Sequence, residues 1–297
     1  MNPFSNAYLL LTLAALCWGG NAIAGKLATL SWEPFTITCL RWLLVLVLVM
    51  PFTWRHFQRD WSLVRQHWKF LFLLCGPAMG GFNLLMYLAL NYTSAINVSI
   101  EQAAMPVLIM VANFLFLRQA VTPAQGVGLL LTLAGVLITA TEGQPLRFFD
   151  SGLNRGDAIM LLASACYAAY SFGLRWRPPM SWRSFILVMS FFVFVTSVPF
   201  ALWEFQAGEP PALPGINGWL VLVYAALFAS LGGQLFFARG VELIGANRAG
   251  LFINLVPIFG AVLAVLILGE TFRWFHAAGL VLVLSGIALA ERRQTSK

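Results

Sequence analysis

Charge is what this sequence has least of. Of its 297 residues only 10% are Asp, Glu, Lys or Arg, against 60% hydrophobic, and the mean hydropathy is +0.82. A soluble domain of this length needs a charged shell around its core, and there is too little charge to build one. Cysteine is scarce too: Cys17, Cys39, Cys75 and Cys166 all fall inside apolar runs, which gives neither a loop disulfide framework nor zinc-ligand spacing. Histidine is limited to His56, His67 and His276, all at segment ends or in loops, and there is no H-E-x-x-H, G-x-S-x-G or P-loop pattern. These absences argue against a metal or other cofactor, against an intramembrane enzyme, and against ATP as the direct energy source.

What is abundant is apolar sequence of membrane length. A bilayer core about 30 Å thick takes roughly 20 apolar residues per spanning helix. Ten such segments can be read, at residues 7–28, 34–51, 68–90, 94–117, 124–141, 155–174, 183–203, 217–239, 245–268 and 273–291. The expected fold class is an all-α integral membrane protein with ten transmembrane helices. The net charge of +7 is unevenly placed. With a cytoplasmic N-terminus, thirteen basic residues fall on one side (Arg55, Arg59, Arg65, Lys69, Arg118, Arg175, Arg177, Arg183, Arg239, Arg248, Arg292, Arg293, Lys297). Four fall on the other (Lys26, Arg147, Arg155, Arg273), and Arg41 inside a segment completes the 18. The positive-inside rule then puts both termini in the cytoplasm, so the basic balance reports topology rather than nucleic-acid binding. The first segment has no Lys or Arg ahead of it and is expected to stay as a structural helix rather than be removed as a leader.

The chain also contains itself twice. Ser94–Leu117 aligns without a gap on Gly245–Leu268 at an offset of 151 residues, placing Pro106 on Pro257; further on, Gly128 falls on Gly279 and Gly135 on Gly286. A second echo, offset 149, sets Ala14–Trp18 against Ala163–Tyr167. The repeats are read as residues 1–145 and 146–297. Five spans per repeat is an odd number, so the second repeat enters from the opposite side, as in many secondary transporters. The paired glycines form a small-residue stripe suited to close packing within or between subunits, leaving monomer and homodimer both open. Gly76, Pro77, Gly80 and Gly81 loosen the third segment, while Asn83 falls on Gln234 in its counterpart; a cavity and interhelical hydrogen bonding are the two readings. Trp54, Phe57, Trp61, Val64 and Trp68 share one helical face, which suggests an amphipathic helix on the cytoplasmic membrane surface.

The Trp18 region, Pro34 with Arg41, the Pro257 segment ending in Gly269-Glu270, and the 5+5 repeat resemble the drug/metabolite transporter superfamily in its ten-helix EamA-type branch. The resemblance covers essentially the whole chain. It departs at Arg118-Gln119, where the first half lacks the Gly-Glu pair. It implies a ten-helix exporter of small metabolites in the bacterial inner membrane, most similar to exporters of amino acids, aromatic ones included. Export of drugs or other metabolites, and a membrane scaffold without a substrate, are the alternatives.

Ionisable groups inside a bilayer are expensive and mark functional candidates. Arg41 and Glu101 sit at matching depth, about seven residues or about 10 Å from the outer ends of their helices, and are expected to form a buried ion pair or a proton site. An amino-acid substrate needs partners for its ammonium and carboxylate and apolar walls. Trp18, Asn21, Asn83, Tyr87, Glu101, Tyr167, Tyr170, Gln234 and Asn254 are the candidate lining, with helix packing as the plain alternative for each. Pro106 and Pro257 are read as kinks or hinges that expose backbone carbonyls. Lys26, Glu33, Glu204, Glu242 and Glu270 lie near segment ends, where snorkelling accounts for them. The expected partners are a small-molecule substrate and the lipid bilayer, with no nucleic acid.

Overall fold

The computed structural model describes residues 6–118, 121–144, 154–207 and 214–291. All regular structure among them is helical. The first repeat contains α1 (Ala7–Ala28), α2 (Pro34–Leu73), a π-helical stretch (Leu74–Gly80), α3 (Gly81–Ala89), α4 (Ala95–Gln102), α5 (Met105–Leu117) and α6 (Pro123–Ala140). The second contains α7 (Arg155–Gly173), α8 (Trp182–Ala207), α9 (Ile216–Tyr224), a π-helical stretch (Ala225–Gly232) and α10 (Gly233–Ile244). It continues through α11 (Ala246–Gly250), a 3-10 stretch (Leu251–Leu255), α12 (Val256–Leu263), a π-helical stretch (Ala264–Leu268) and α13 (Trp274–Glu291). The boundary between the repeats, Gln119, Arg147, Arg292, Arg293 and Lys297 lie outside the described residues.

Local sequence explains where these helices start. The Asn6 side chain accepts from the Leu9 amide to begin α1, Ser94 does the same for α4, and Thr122 and Gln125 cap α6 reciprocally. Pro34 and Pro123 open α2 and α6, where a missing amide costs nothing. Eight helical runs are long and apolar enough to cross a membrane, and the shorter α13 is apolar as well. One of the eight, Pro34–Ala89, is 56 residues long; at 1.5 Å per residue it supplies two crossings, which accounts for ten.

One expectation is corrected within that long run. The stretch Trp54–Lys69 is no separate surface helix: α2 runs through it and departs from helical geometry only at His67 (φ −110°, ψ 18°). Trp54, Trp61 and Trp68 remain exposed while Val64 is buried, so the apolar stripe divides between the bundle and its surroundings.

The duplication is visible in three dimensions. Both π-helical stretches that precede α3 and α10 begin at equivalent positions, Leu74 and Ala225, and α13 covers the residues equivalent to α6. Arg118, the departure from the Gly-Glu pattern, still ends α5 in the left-handed conformation (φ 53°), as Gly269 does in the other half (φ 68°). The shape of the turn is kept although the residue is not.

Lipid is as apolar as leucine, so helices associate in a membrane through close packing of small residues. Here α1 packs on α10 and α12, its counterpart α7 packs on α3 and α5, and α2·α8 and α6·α13 form the flanks. The glycine stripes meet each other inside one chain. A Cβ at Gly135 would lie 2.7 Å from the Gly279 carbonyl oxygen, and one at Gly128 would collide with the Gly286 carbonyl. Thr132 and Thr139 turn their hydroxyls back to the Gly128 and Gly135 carbonyls at 2.9 and 3.0 Å, which keeps polar atoms satisfied at the seam.

Gly286→Leu is therefore expected to destabilise the protein by about 1–3 kcal/mol through overpacking. Gly126→Leu, with open space where its Cβ would stand, should be neutral; heating followed by size-exclusion chromatography in detergent distinguishes them. Arg118→Gly should raise the midpoint in the same assay, because it relieves a left-handed cost of about 1 kcal/mol.

Candidate functional site

The loosened stretches converge on one cavity of about 280 Å³. It lies where the two π-helical stretches and the two broken spans face α1. The breaks have a common cause: Pro106 and Pro257 each sit at the start of a second half-helix and have no amide to offer the residue four positions earlier. Those residues are Gln102 and Ile253, equivalent across the repeat, and both line the cavity. Between α4 and α5 the chain tightens, Ala103 and Ala104 donating to the Ile100 and Glu101 carbonyls at 3.1 and 3.0 Å.

Seven of the polar and aromatic candidates stand around this space: Trp18, Asn21, Arg41, Asn83, Tyr167, Gln234 and Asn254. Pro106 and Pro257 also border it. Trp42, Phe82, Gln102 and Ser230 complete the chemistry and were not singled out from sequence. Ser230 had a weak signal, because its equivalent is the apolar Met79. Tyr87 and Tyr170 stand behind the wall. Tyr170 donates to the Met189 sulfur at 3.5 Å, while Tyr87 donates to Asn21 Oδ1 at 3.2 Å and accepts from Arg41.

Among the described residues Arg41 is the one cation on the cavity wall, and it is held by neutral groups. Its Nε donates to Ser230 Oγ at 2.8 Å, and its Nη1 to Asn21 Oδ1 and the Tyr87 hydroxyl at 3.1 Å each. The Trp42 and Tyr87 rings lie 5.8 and 5.7 Å from its guanidinium carbon, within cation–π range. Nη2 makes no hydrogen bond to the described residues. Such a guanidinium is a ready receptor for a carboxylate.

The expected Arg41–Glu101 ion pair is absent from the structure. Depth matched, but azimuth did not: Gln102 faces the cavity, and Glu101, one residue earlier and so about 100° around α4, faces Asp157 on α7. Glu101 therefore leaves the set of cavity residues.

Charged groups assigned to snorkelling instead tie helices together at the outer face. Glu270 accepts from the first two amides of α4, Ala95 at 2.8 Å and Ile96 at 3.0 Å. Glu204 caps α2 in the same manner through Phe35 at 2.9 Å and Thr36 at 2.7 Å. Each satisfies orphan donors and sits at the positive end of a helix. Lys26 donates to the Leu90 and Thr93 carbonyls at 2.7 and 2.8 Å. Below these ties α4 packs on α12, where Ser99 fills the space beside Gly260, and α1 approaches closely enough that a Cβ at Gly19 would lie 2.9 Å from the Gly260 amide. The equivalent cytoplasmic halves, α5 and Ala246–Leu255, have no comparable seam. The cavity is closed at the end where α4 meets α12 and parted at the end where α5 faces Ala246–Leu255.

Comparison with known proteins accords with this architecture. Residues 5–141 and 154–291 each match the model of the EamA-like transporter family. The uncharacterized transporter YyaM of Bacillus subtilis is 27% identical over 216 residues, 71% of this chain and 68% of that protein. An uncharacterized transporter of Archaeoglobus fulgidus is 27% identical over 296 residues, with 98% and 99% covered. The uncharacterized inner membrane transporter YicL of Salmonella typhimurium is 22% identical over 307 residues, with 97% and 96% covered. A solved crystal structure superposes with a TM-score of 0.61 at 19% identity, covering 98% of this chain and 99% of that one, and shares the fold. Each inverted repeat thus carries one copy of the family's unit, and the chain belongs to the EamA-like transporters, a family of multi-pass membrane transporters.

Proposed function

We propose that the protein exports amino acids and related small zwitterionic metabolites across the bacterial inner membrane by alternating access. The observation that carries the reading is Arg41, whose Nη2 has no partner among the described residues, on a cavity wall whose other polar groups are amides, hydroxyls and an indole and whose remainder is apolar. A substrate carboxylate satisfies that edge and neutralises the one cation. For the ammonium, the Gln102 carbonyl lacks a proline amide, and Asn83, whose Nδ2 is tied to the Met79 carbonyl at 2.8 Å, has no partner for its amide oxygen among the described residues. Trp18, Phe82 and Tyr167 supply apolar walls for a side chain. A cavity of about 280 Å³ lies at the small end of ligand pockets, which favours single amino acids over drug-sized molecules.

Alternating access is supported by the asymmetry between equivalent halves. The α4·α12 seam maps, through the repeat, onto a seam between α5 and Ala246–Leu255. Exchanging one for the other closes the cytoplasmic side and opens the outer one with no new fold.

In liposomes, purified protein is expected to exchange radiolabelled phenylalanine and other neutral amino acids, while amines lacking the carboxylate should not compete. Arg41→Gln should weaken substrate affinity roughly 10–100-fold, as removal of a charge-assisted contact of about 1.5–3 kcal/mol implies, with Arg41→Lys intermediate. Absence of specific uptake for every amino acid would reject this substrate class. Glu270→Ala frees the start of α4 and should favour the outward-open state. A cysteine introduced by Gln102→Cys should then react faster with an impermeant thiol reagent applied from outside; unchanged labelling would rule out the Glu270 tie as a gate.

A further inference from the structure

We propose that Glu101 and Asp157, facing each other across the α4–α7 interface, hold one proton between them and form a proton-operated lock on the outer seam of the transporter. The proposal rests on the transporter reading above but concerns a place separate from the substrate cavity.

Both carboxyls are buried, Glu101 at 0% and Asp157 at 1% exposure. Neither oxygen of Glu101 has a hydrogen-bond partner among the described residues, and Asn97 Oδ1, one turn away on α4, is likewise buried and unpartnered. Asp157 Oδ1 accepts from Thr93 Oγ1 at 2.5 Å and from Asn97 Nδ2 at 3.5 Å. The aspartate is thus positioned by donors, while the glutamate is left with no partner except the other carboxyl.

Among the described residues no cation answers this pair. Arg41 is held by Ser230, Asn21 and Tyr87, and Lys26 of α1 by the Leu90 and Thr93 carbonyls. Arg155, on the first turn of α7, stacks at 4.5 Å on the Tyr92 ring. Past the end of α6, Glu142 adds negative charge beside Asp157. Glu270 is committed to the start of α4, and His276 of α13 accepts from the Arg273 amide at 3.0 Å. Neither α5 nor α12 carries a titratable side chain, and the next such groups down α7, Cys166 and Tyr167, are more than two turns from Asp157. Two like charges without a counterion cost several kcal/mol each in a low-dielectric interior, and a proton shared between the carboxyls removes the repulsion.

The location gives the proton a task. The pair joins a helix of the first repeat to one of the second, and α4 is the helix whose packing on α12 closes the outer side. Parting that seam admits water to the outer half of α4, where the carboxylates are solvated and the proton leaves to outside water. Rebinding of a proton from outside restores the O–H bond and favours closure, returning the emptied carrier to its inward-facing state. The proton leaves to and returns from the same side, so external acid favours the outward-closed state without being carried across the membrane.

Two measurements that need no substrate test this. Infrared spectra of the purified protein at neutral pH should contain a protonated-carboxyl C=O band that disappears in both Glu101→Gln and Asp157→Asn; the second variant keeps the Thr93 hydrogen bond in case the first does not fold. Labelling of the Gln102→Cys variant from outside should rise with external pH more steeply than labelling of the same cysteine in the Glu101→Gln background, where only thiol ionisation remains. Absence of the band, its persistence in both variants, or labelling that follows sodium rather than pH overturns the proposal. Amino-acid exchange that ignores external pH would overturn it too, while leaving the exporter reading intact. Loss of all amino-acid exchange alongside an intact band would remove that reading and keep the proton site.

Discussion

A helix that stops inside a bilayer leaves amides and carbonyls with nothing to bond, and the architecture of this protein follows from how those groups are satisfied. Four spans are irregular at membrane depth: two by π-helical stretches and two by breaks ahead of Pro106 and Pro257. Each of the four contributes residues to a shared polar space. The cavity is the place where unsatisfied backbone is tolerated, and the substrate chemistry proposed for it uses that same lack of partners.

Charge obeys the same constraint. Arg41 is distributed over three neutral acceptors, and Glu204 and Glu270 lie on helix N-termini. Among the described residues the only side-chain ion pair is the exposed Arg239–Glu242 contact, at 2.8 Å. Buried ions in this chain are stabilised by dipoles and hydroxyls. Among the described residues only Glu101 lacks such support, which is what sets it and its neighbour Asp157 apart from the rest.

Much of this was legible in the sequence because it depends on properties a sequence carries directly. Spans follow from apolar length, inversion from an odd count per repeat, and the broken helices from prolines at equivalent positions. Trp18, Asn21, Asn83, Tyr167, Gln234 and Asn254 were reachable because deep polar or aromatic groups on repeat-related segments converge when the repeats do. What remained hidden was rotational. Whether Glu101 faces Arg41 or Asp157 depends on one residue's step around α4, and no periodicity within an unbrokenly apolar helix reports which side meets which neighbour. The caps were hidden for a different reason: Glu204 and Glu270 act on helix starts some 170 residues away in the chain, a relation that local reading cannot see.

The seam between α6 and α13 has a further consequence. Gly128 meets Gly286, which is the equivalent of Gly135, and Gly135 meets Gly279, the equivalent of Gly128. That reciprocity is the signature of an isologous contact, the kind formed when two identical subunits pair about a two-fold axis. The α2·α8 flank has the same character, each helix lying against its own counterpart. Two of the main interfaces in this single chain are thus homodimer interfaces joined by a covalent connector. One set of surfaces, used twice, is enough to hold the two halves together, which leaves residues away from those seams, Arg41 and Glu270 among them, under no demand to match across the repeat.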